Sequence, residues 1–282
     1  MLFGCDFSSA PTARKPIVVA IGDIGTIGAT GEMAGAGSVA LTGLHRFATL
    51  QAWGQWLRDT PAWVGGFDFP FSLPRDLVEH LKWPLEWAPL MAHYASLGRA
   101  EIRDTFAAFC AARPVGGKFA HRAADAPAGS SPSMKWVNPP VAFMLHAGVP
   151  PLLAAGASLP GLHVGSRTDR IALEAYPGLL ARELIGRRSY KSDDLAKQTP
   201  ERLAARTDLL AALEAGATRL GLRLELGAAQ RAELLADARG DHIDAVLCLV
   251  QAAWGLQRAA SPGPGYGLPL QFDPLEGWIV TA

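Results

Sequence analysis

Cysteine is scarce in this chain: three in 282 residues, at Cys5, Cys110 and Cys248, far apart and each in an apolar setting. They lack the close pairing of a zinc finger and the even count of a disulfide frame, so they read as reduced core thiols of a cytosolic protein. Net charge is missing too, with 26 Lys+Arg against 26 Asp+Glu. Without an excess of cations, tight non-specific duplex binding has no driving force, and only a local basic patch remains open. No apolar run reaches the roughly 18 residues of a spanning helix, and no basic segment followed by an apolar core opens the chain. The expectation is a soluble, cytoplasmic protein with no membrane partner. Several motifs are also absent. There is no Gly-x-x-x-x-Gly-Lys-Ser/Thr phosphate loop, no His-Glu-x-x-His pair and no nucleophile elbow around Ser8. The run Gly22 to Gly28 has the wrong glycine spacing for a dinucleotide loop and joins two strands.

What is present is a globular composition, 49% hydrophobic and 18% charged. It is long enough for one large α/β domain. Leu2 to Ser9 starts as a buried strand and Pro16 to Ile21 as a second. Gly22 to Gly37 reads as a turn or hairpin tip, and Ser38 to Leu44 as a third strand. Helical spacing of Phe47, Leu50, Trp53 and Leu57 predicts a helix over Arg46 to Arg58, and Ala62 to Phe69 follows as a strand. Residues 75 to 157 read mainly as helices, with two near the end at Pro139 to Ala147 and Pro151 to Ala157. They form a helical insertion around a loop, Arg113 to Val137, that carries Lys118, His121, Arg122 and Lys135. A strand returns at Arg170 to Ala175. Helices follow at Pro177 to Leu184, Pro200 to Gly216, Ala228 to Asp237 and Asp241 to Trp254. Leu220 to Leu226 reads as a short strand or a helix continuation, and Glu276 to Val280 as a closing strand. The chain is expected to be one domain, residues 1–282.

Four stretches set an acid inside apolar sequence, where an unpaired carboxylate is costly. Asp6 interrupts the first strand and shares a face with Gly4 and Ser8, small residues that leave room for a ligand. Asp68 lies between Phe67 and Phe69 at a strand end, where α/β sheets place binding groups. Glu174 ends the run Ile171-Ala172-Leu173. Asp241 and Asp244 share a helix face near its N-terminus. Asp241 reads first as the N-cap, and Asp244, against Ala245-Val246-Leu247, as the better ligand. For each there is a plain alternative in a turn, a cap or a solvated edge. Taken together, the acids are expected to converge on a hard divalent cation, magnesium with manganese as the substitute. A pair of such ions supports phosphodiester cleavage. His242 is read as a group that orients an acid or a water, Ser8 as a substrate contact, and Lys191 as either a solvated loop lysine or a phosphate contact.

In this order along the chain, Gly4-Cys5-Asp6-Phe7-Ser8, Phe67-Asp68-Phe69-Pro70, Glu174-Ala175-Tyr176-Pro177, Tyr190-Lys191, Asp241-x-x-Asp244-Ala245 and Glu276-Gly277-Trp278-Ile279 resemble the family catalogued as domain of unknown function 429. Its members are regarded as predicted nucleases of ribonuclease H-like fold. The resemblance implies a five-stranded mixed sheet in the order β-β-β-α-β-α-β-α. It implies Asp6, Asp68 and Asp244 as metal ligands, Glu174 as a further ligand or water-positioning group, and Lys191 as a substrate contact. The insertion is larger than a minimal domain of that fold needs, and is expected to cover the site and narrow the substrate. The leading function is then metal-dependent hydrolysis of DNA or RNA, on a short or single-stranded partner. The second is a non-catalytic nucleotide or nucleic-acid binding module. The third is a phosphotransferase or ATPase-like protein, which would want a second sheet domain and phosphate loops.

Overall fold

A computed structural model describes residues 1–25 and 37–282. Of the stretch Gly22 to Gly37, expected as a turn or hairpin tip, Gly22 to Gly25 continue a strand and residues 26–36 lie outside the described residues. The described elements build an α/β structure of one mixed sheet and ten helices. The strands are β1 (Leu2–Asp6), β2 (Ile17–Gly25), β3 (Gly37–Phe47), β4 (Trp63–Phe67), β5 (Ala157–Ser158), β6 (Arg167–Glu174) and β7 (Leu222–Glu225). They lie in the order β5-β6-β4-β1-β2-β3-β7. β1, β2 and β3 form an antiparallel meander. β4 pairs parallel to β1, and β6 parallel to β4. The sheet has seven strands rather than five because the short segments β5 and β7 pair parallel with β6 and β3 and extend both edges.

β1 alternates as a strand buried on both faces should. Phe3, Cys5 and Phe7 join a core with helices α1 (Leu50–Asp59), α2 (Arg75–His80), α3 (Trp87–Ser96), α4 (Arg99–Ala111) and α6 (Val141–Ala154). Leu2 joins the opposite core, under α7 (Pro177–Ile185), α8 (Pro200–Glu214), α9 (Ala228–Ala236) and α10 (Asp241–Gln257). A four-residue helix, α5 (Asp125–Ala128), sits in the loop between α4 and α6. The three cysteines are buried and free. Among the described residues, no helix is long and apolar enough to cross a membrane.

Four sequence expectations give way here. The helix expected from Arg46 starts at Leu50, because β3 runs on to Phe47 and Thr49 caps the helix by accepting the Ala52 N–H. The helices expected on either side of Pro150 and Pro151 are one, α6, which passes through both prolines and packs on α1 and α3. Its last residues precede β5, where a helix was expected to continue to Ala157. The closing segment forms no strand; its Val280 N–H donates a single hydrogen bond to the Glu174 carbonyl.

Helix α10 positions the site. It lies across β1, β2 and β4, and its residues from Ile243 to Ala253 are buried. The seat for it is two glycines. A Cβ on Gly4 would stand 2.0 Å from the Leu249 nitrogen and 2.2 Å from the Ala245 oxygen; one on Gly66 would stand 2.5 Å from the Cys248 oxygen. Of the space beside Asp6 that the sequence suggested for a ligand, the Gly4 side is therefore filled by helix backbone, and the Ser8 side opens on a cleft.

Candidate metal centre

Three of the expected acids meet, and strand register explains two of them. In the β1/β4 pair Cys5 lies opposite Phe67, and the Asp68 N–H carries the pairing on by donating to the Cys5 carbonyl at 2.9 Å. Asp6 and Asp68 thus follow side by side at the ends of adjacent parallel strands. The third comes from α10. That helix starts at Gly240, whose φ of 81° suits glycine. Asp237, ahead of it, accepts the backbone N–H groups of Arg239 and His242. Gly240, and not Asp241, is the N-cap. Asp241 and Asp244 fall in the first turn, where the helix dipole favours negative charge. With α10 seated on Gly4 and Gly66, Asp244 is turned toward the strand ends. Asp6, Asp68 and Asp244 each offer an oxygen, and these oxygens lie within 4.8 Å of one another.

The electrostatics follow from that crowding. Burial, then the charges of Asp244, Asp241 and Asp68, push the Asp6 carboxyl well above its ordinary value, with Lys191 pulling the other way. Asp68 is pushed up to about 7 by burial and by Asp244. Asp241, on the rim of the same cleft, is pushed up to about 6 by burial, Asp237 and Asp244. Among the described residues the carboxyl oxygens of Asp6 and Asp68 accept no hydrogen bond; both residues line a cleft of about 580 Å³. Asp244 differs, since it is fully buried and takes the Tyr190 hydroxyl on one oxygen and the Lys191 ammonium on the other. Burial pulls the Lys191 ammonium down, but Asp244, Tyr190 and Asp6 outweigh it and hold its pKa well above the ordinary value. The loop bearing both residues is anchored by Arg206, which donates to the Tyr190 carbonyl at 2.8 Å.

Glu174 is not in this cluster. It pairs with Phe67 across β4 and β6, so it shares the face of Phe67, opposite to that of Asp68. On that face the buried Arg122 guanidinium donates to both its oxygens, at 2.6 and 2.8 Å, and the Phe71 N–H donates at 2.9 Å. Arg122 also holds Asp125 at 2.9 Å. With its acceptors taken by one cation, Glu174 ties the loop after α4 to the sheet and has no oxygen free for the acid cluster. Ser8 lies on the cleft wall, its hydroxyl accepting the Ala10 N–H at 3.4 Å. His242 is drawn away from the acids, with its Nε2 2.9 Å from the Arg46 guanidinium.

Sequence reasoning passed over Arg122 and Tyr190. In the sequence Arg122 is one of several loop cations. Its signal was an arginine and an acid three apart, Arg122 and Asp125, with a buried glutamate elsewhere that lacked a partner. Tyr190 carries no sequence signal beyond its place next to Lys191.

The donor set fits a hard divalent cation: all oxygen, three carboxylates, two of them without protein donors. The chain matches no family model, no curated protein and no solved structure.

Proposed function

We propose that this chain is a magnesium- or manganese-dependent nuclease of ribonuclease H-like fold, acting on nucleic acid at the Asp6, Asp68 and Asp244 cluster. The observation that carries the reading is the convergence of three carboxylates from two parallel strand ends and one helix, two of them facing an open cleft without partners. The central strand order β3-β2-β1-β4-β6, an antiparallel meander followed by two parallel strands, supports the fold assignment. The resemblance of the chain's short motifs to domain of unknown function 429 is in keeping with this reading.

Asp6, Asp68 and Asp244 are the residues that would hold the ion. A divalent cation there supplies Lewis-acid polarisation of a phosphoryl group and an acidified water at neutral pH. The rest falls to side chains of the chain. Lys191, Lys15 and Arg239 line the cleft and supply positive charge for a phosphodiester backbone, and Ser8 and Ser192 supply hydroxyls. Lys191, which now donates to Asp244, would be free to meet a phosphate if a cation took that oxygen.

One observation favours a second reading, a binding module without turnover: the Lys191 ammonium already neutralises Asp244. A panel of single-stranded and duplex DNA and RNA, with magnesium or manganese, separates the two. The nuclease reading expects cleavage by the wild type, none with EDTA and none by Asp6→Asn of unchanged circular dichroism. Binding without cleavage across the whole panel would leave the module.

A further inference from the structure

A second cavity opens beside the acids. It measures about 330 Å³ and shares Asp68, Pro139, Met144 and Lys191 with the larger cleft. Beyond those it is lined mainly by apolar groups, among them Phe69, Val141, Tyr176 and Ile279. The fully paired Arg122 and Glu174 also line it, and Ser130 and Ser131 add hydroxyls. The larger cleft is different in kind, with serines and charged groups of both signs along its wall.

From this juxtaposition we propose that the chamber is a nucleoside pocket: it receives one unpaired nucleoside of the substrate, while the attached backbone runs through the polar cleft. The proposal rests on the nuclease reading and adds the substrate class to it. The volume falls at the small end of ligand pockets, which suits one unit and not a stacked strand. An apolar chamber with a few polar groups matches a base and sugar, and the shared Asp68 puts the phosphate of that unit at the acids. Ser130, Ser131, Pro139, Val141 and Met144, which wall the chamber, come from the helical insertion. A base held there has left any helix, so an unpaired strand is favoured over duplex by the free energy that extruding a paired base costs.

The test separates the chamber from the metal. Full-length protein with ¹³C-labelled methionine methyls is titrated with adenosine in EDTA. The Met144 methyl is expected to shift, while that of Met134, which is fully buried in the core, stays still. Val141→Trp, on the insertion side of the chamber, is expected to weaken adenosine by at least about tenfold. Ser131→Trp gives a second block from a loop position, should the helix variant fail to fold. In magnesium, the wild type is expected to cut an unpaired oligonucleotide faster than the same sequence in duplex. Adenosine that leaves Met144 unmoved, or binding unaltered in both folded variants, overturns the chamber whatever the cleavage assay shows. Absence of cleavage with adenosine bound overturns the nuclease reading and leaves the pocket standing.

Discussion

Replacing Asp68 with asparagine is expected to stabilise the metal-free protein, by an amount that grows as pH rises from about 4 to 7 and is constant above. Burial and Asp244 move the Asp68 carboxyl from 3.8 to about 7. Between those values the folded protein holds the proton and the unfolded chain does not. Stability is therefore full below about pH 4, falls as pH rises through 7, and stays low beyond. At about 1.4 kcal/mol per pH unit, the ionised carboxylate costs the fold roughly 4 kcal/mol at pH 8. Asparagine keeps the shape and drops that cost. Because the side chain accepts no hydrogen bond among the described residues, little is lost in exchange. For a chain of this length, roughly 2 °C per kcal/mol gives a rise in melting temperature of about 8 °C. The assay is thermal unfolding of both proteins in EDTA at pH 8 and pH 5. The gap is expected at pH 8 and is expected to shrink at pH 5, where Asp68 of the wild type is already largely protonated. Magnesium at a hundredfold over its dissociation constant should then raise the wild type by about 2.7 kcal/mol and leave the variant unmoved. A variant less stable than wild type at pH 8, or a gap of equal size at both pH values, would refute the crowding argument.

Three other substitutions read different parts of the site. Glu174→Gln leaves Asp125 as the remaining anion on the buried Arg122 and is expected to cost on the order of 1.5–3 kcal/mol, measured by urea unfolding, while the magnesium response survives; loss of that response would return Glu174 to the ligand set. Gly4→Ala drives a methyl into the α10 backbone and is expected to lower expression and melting temperature sharply, whereas Gly43→Ala, with open space around it, is the neutral control. Lys191→Ala removes the cation competing for Asp244 and is expected to tighten magnesium by about tenfold, roughly 1.4 kcal/mol, in calorimetry, and to slow cleavage; weaker magnesium binding would show that Lys191 does not compete.

Much of the site was legible because local pattern and global fold agree there. An acid inside an apolar strand, a second at a strand end and a third on the buried face of a helix each violate the ordinary rule of burial, and the violations pointed to one place. Glu174 broke the same rule and led elsewhere. Its face depends on the register between β4 and β6, one step different from that of Asp68, and register is a long-range property that no single strand displays. The edge strands β5 and β7 were hard to see for the reason that short strands are: two and four residues carry little periodicity, and pairing at the sheet edge decides them. The paired prolines of α6 signalled a break that packing against α1 and α3 overrode.

The contact of α10 with Gly4 and Gly66 has a consequence for variation of this molecule. Side chains swap rotamers and cores can be refilled, but a peptide plane resting on another peptide plane has nothing to rearrange. The gap between Asp244 and the two strand-borne aspartates is thus gauged by bare main chain. Hydrophobic replacements elsewhere in either core should change how firmly the protein holds together while leaving that gauge as it was.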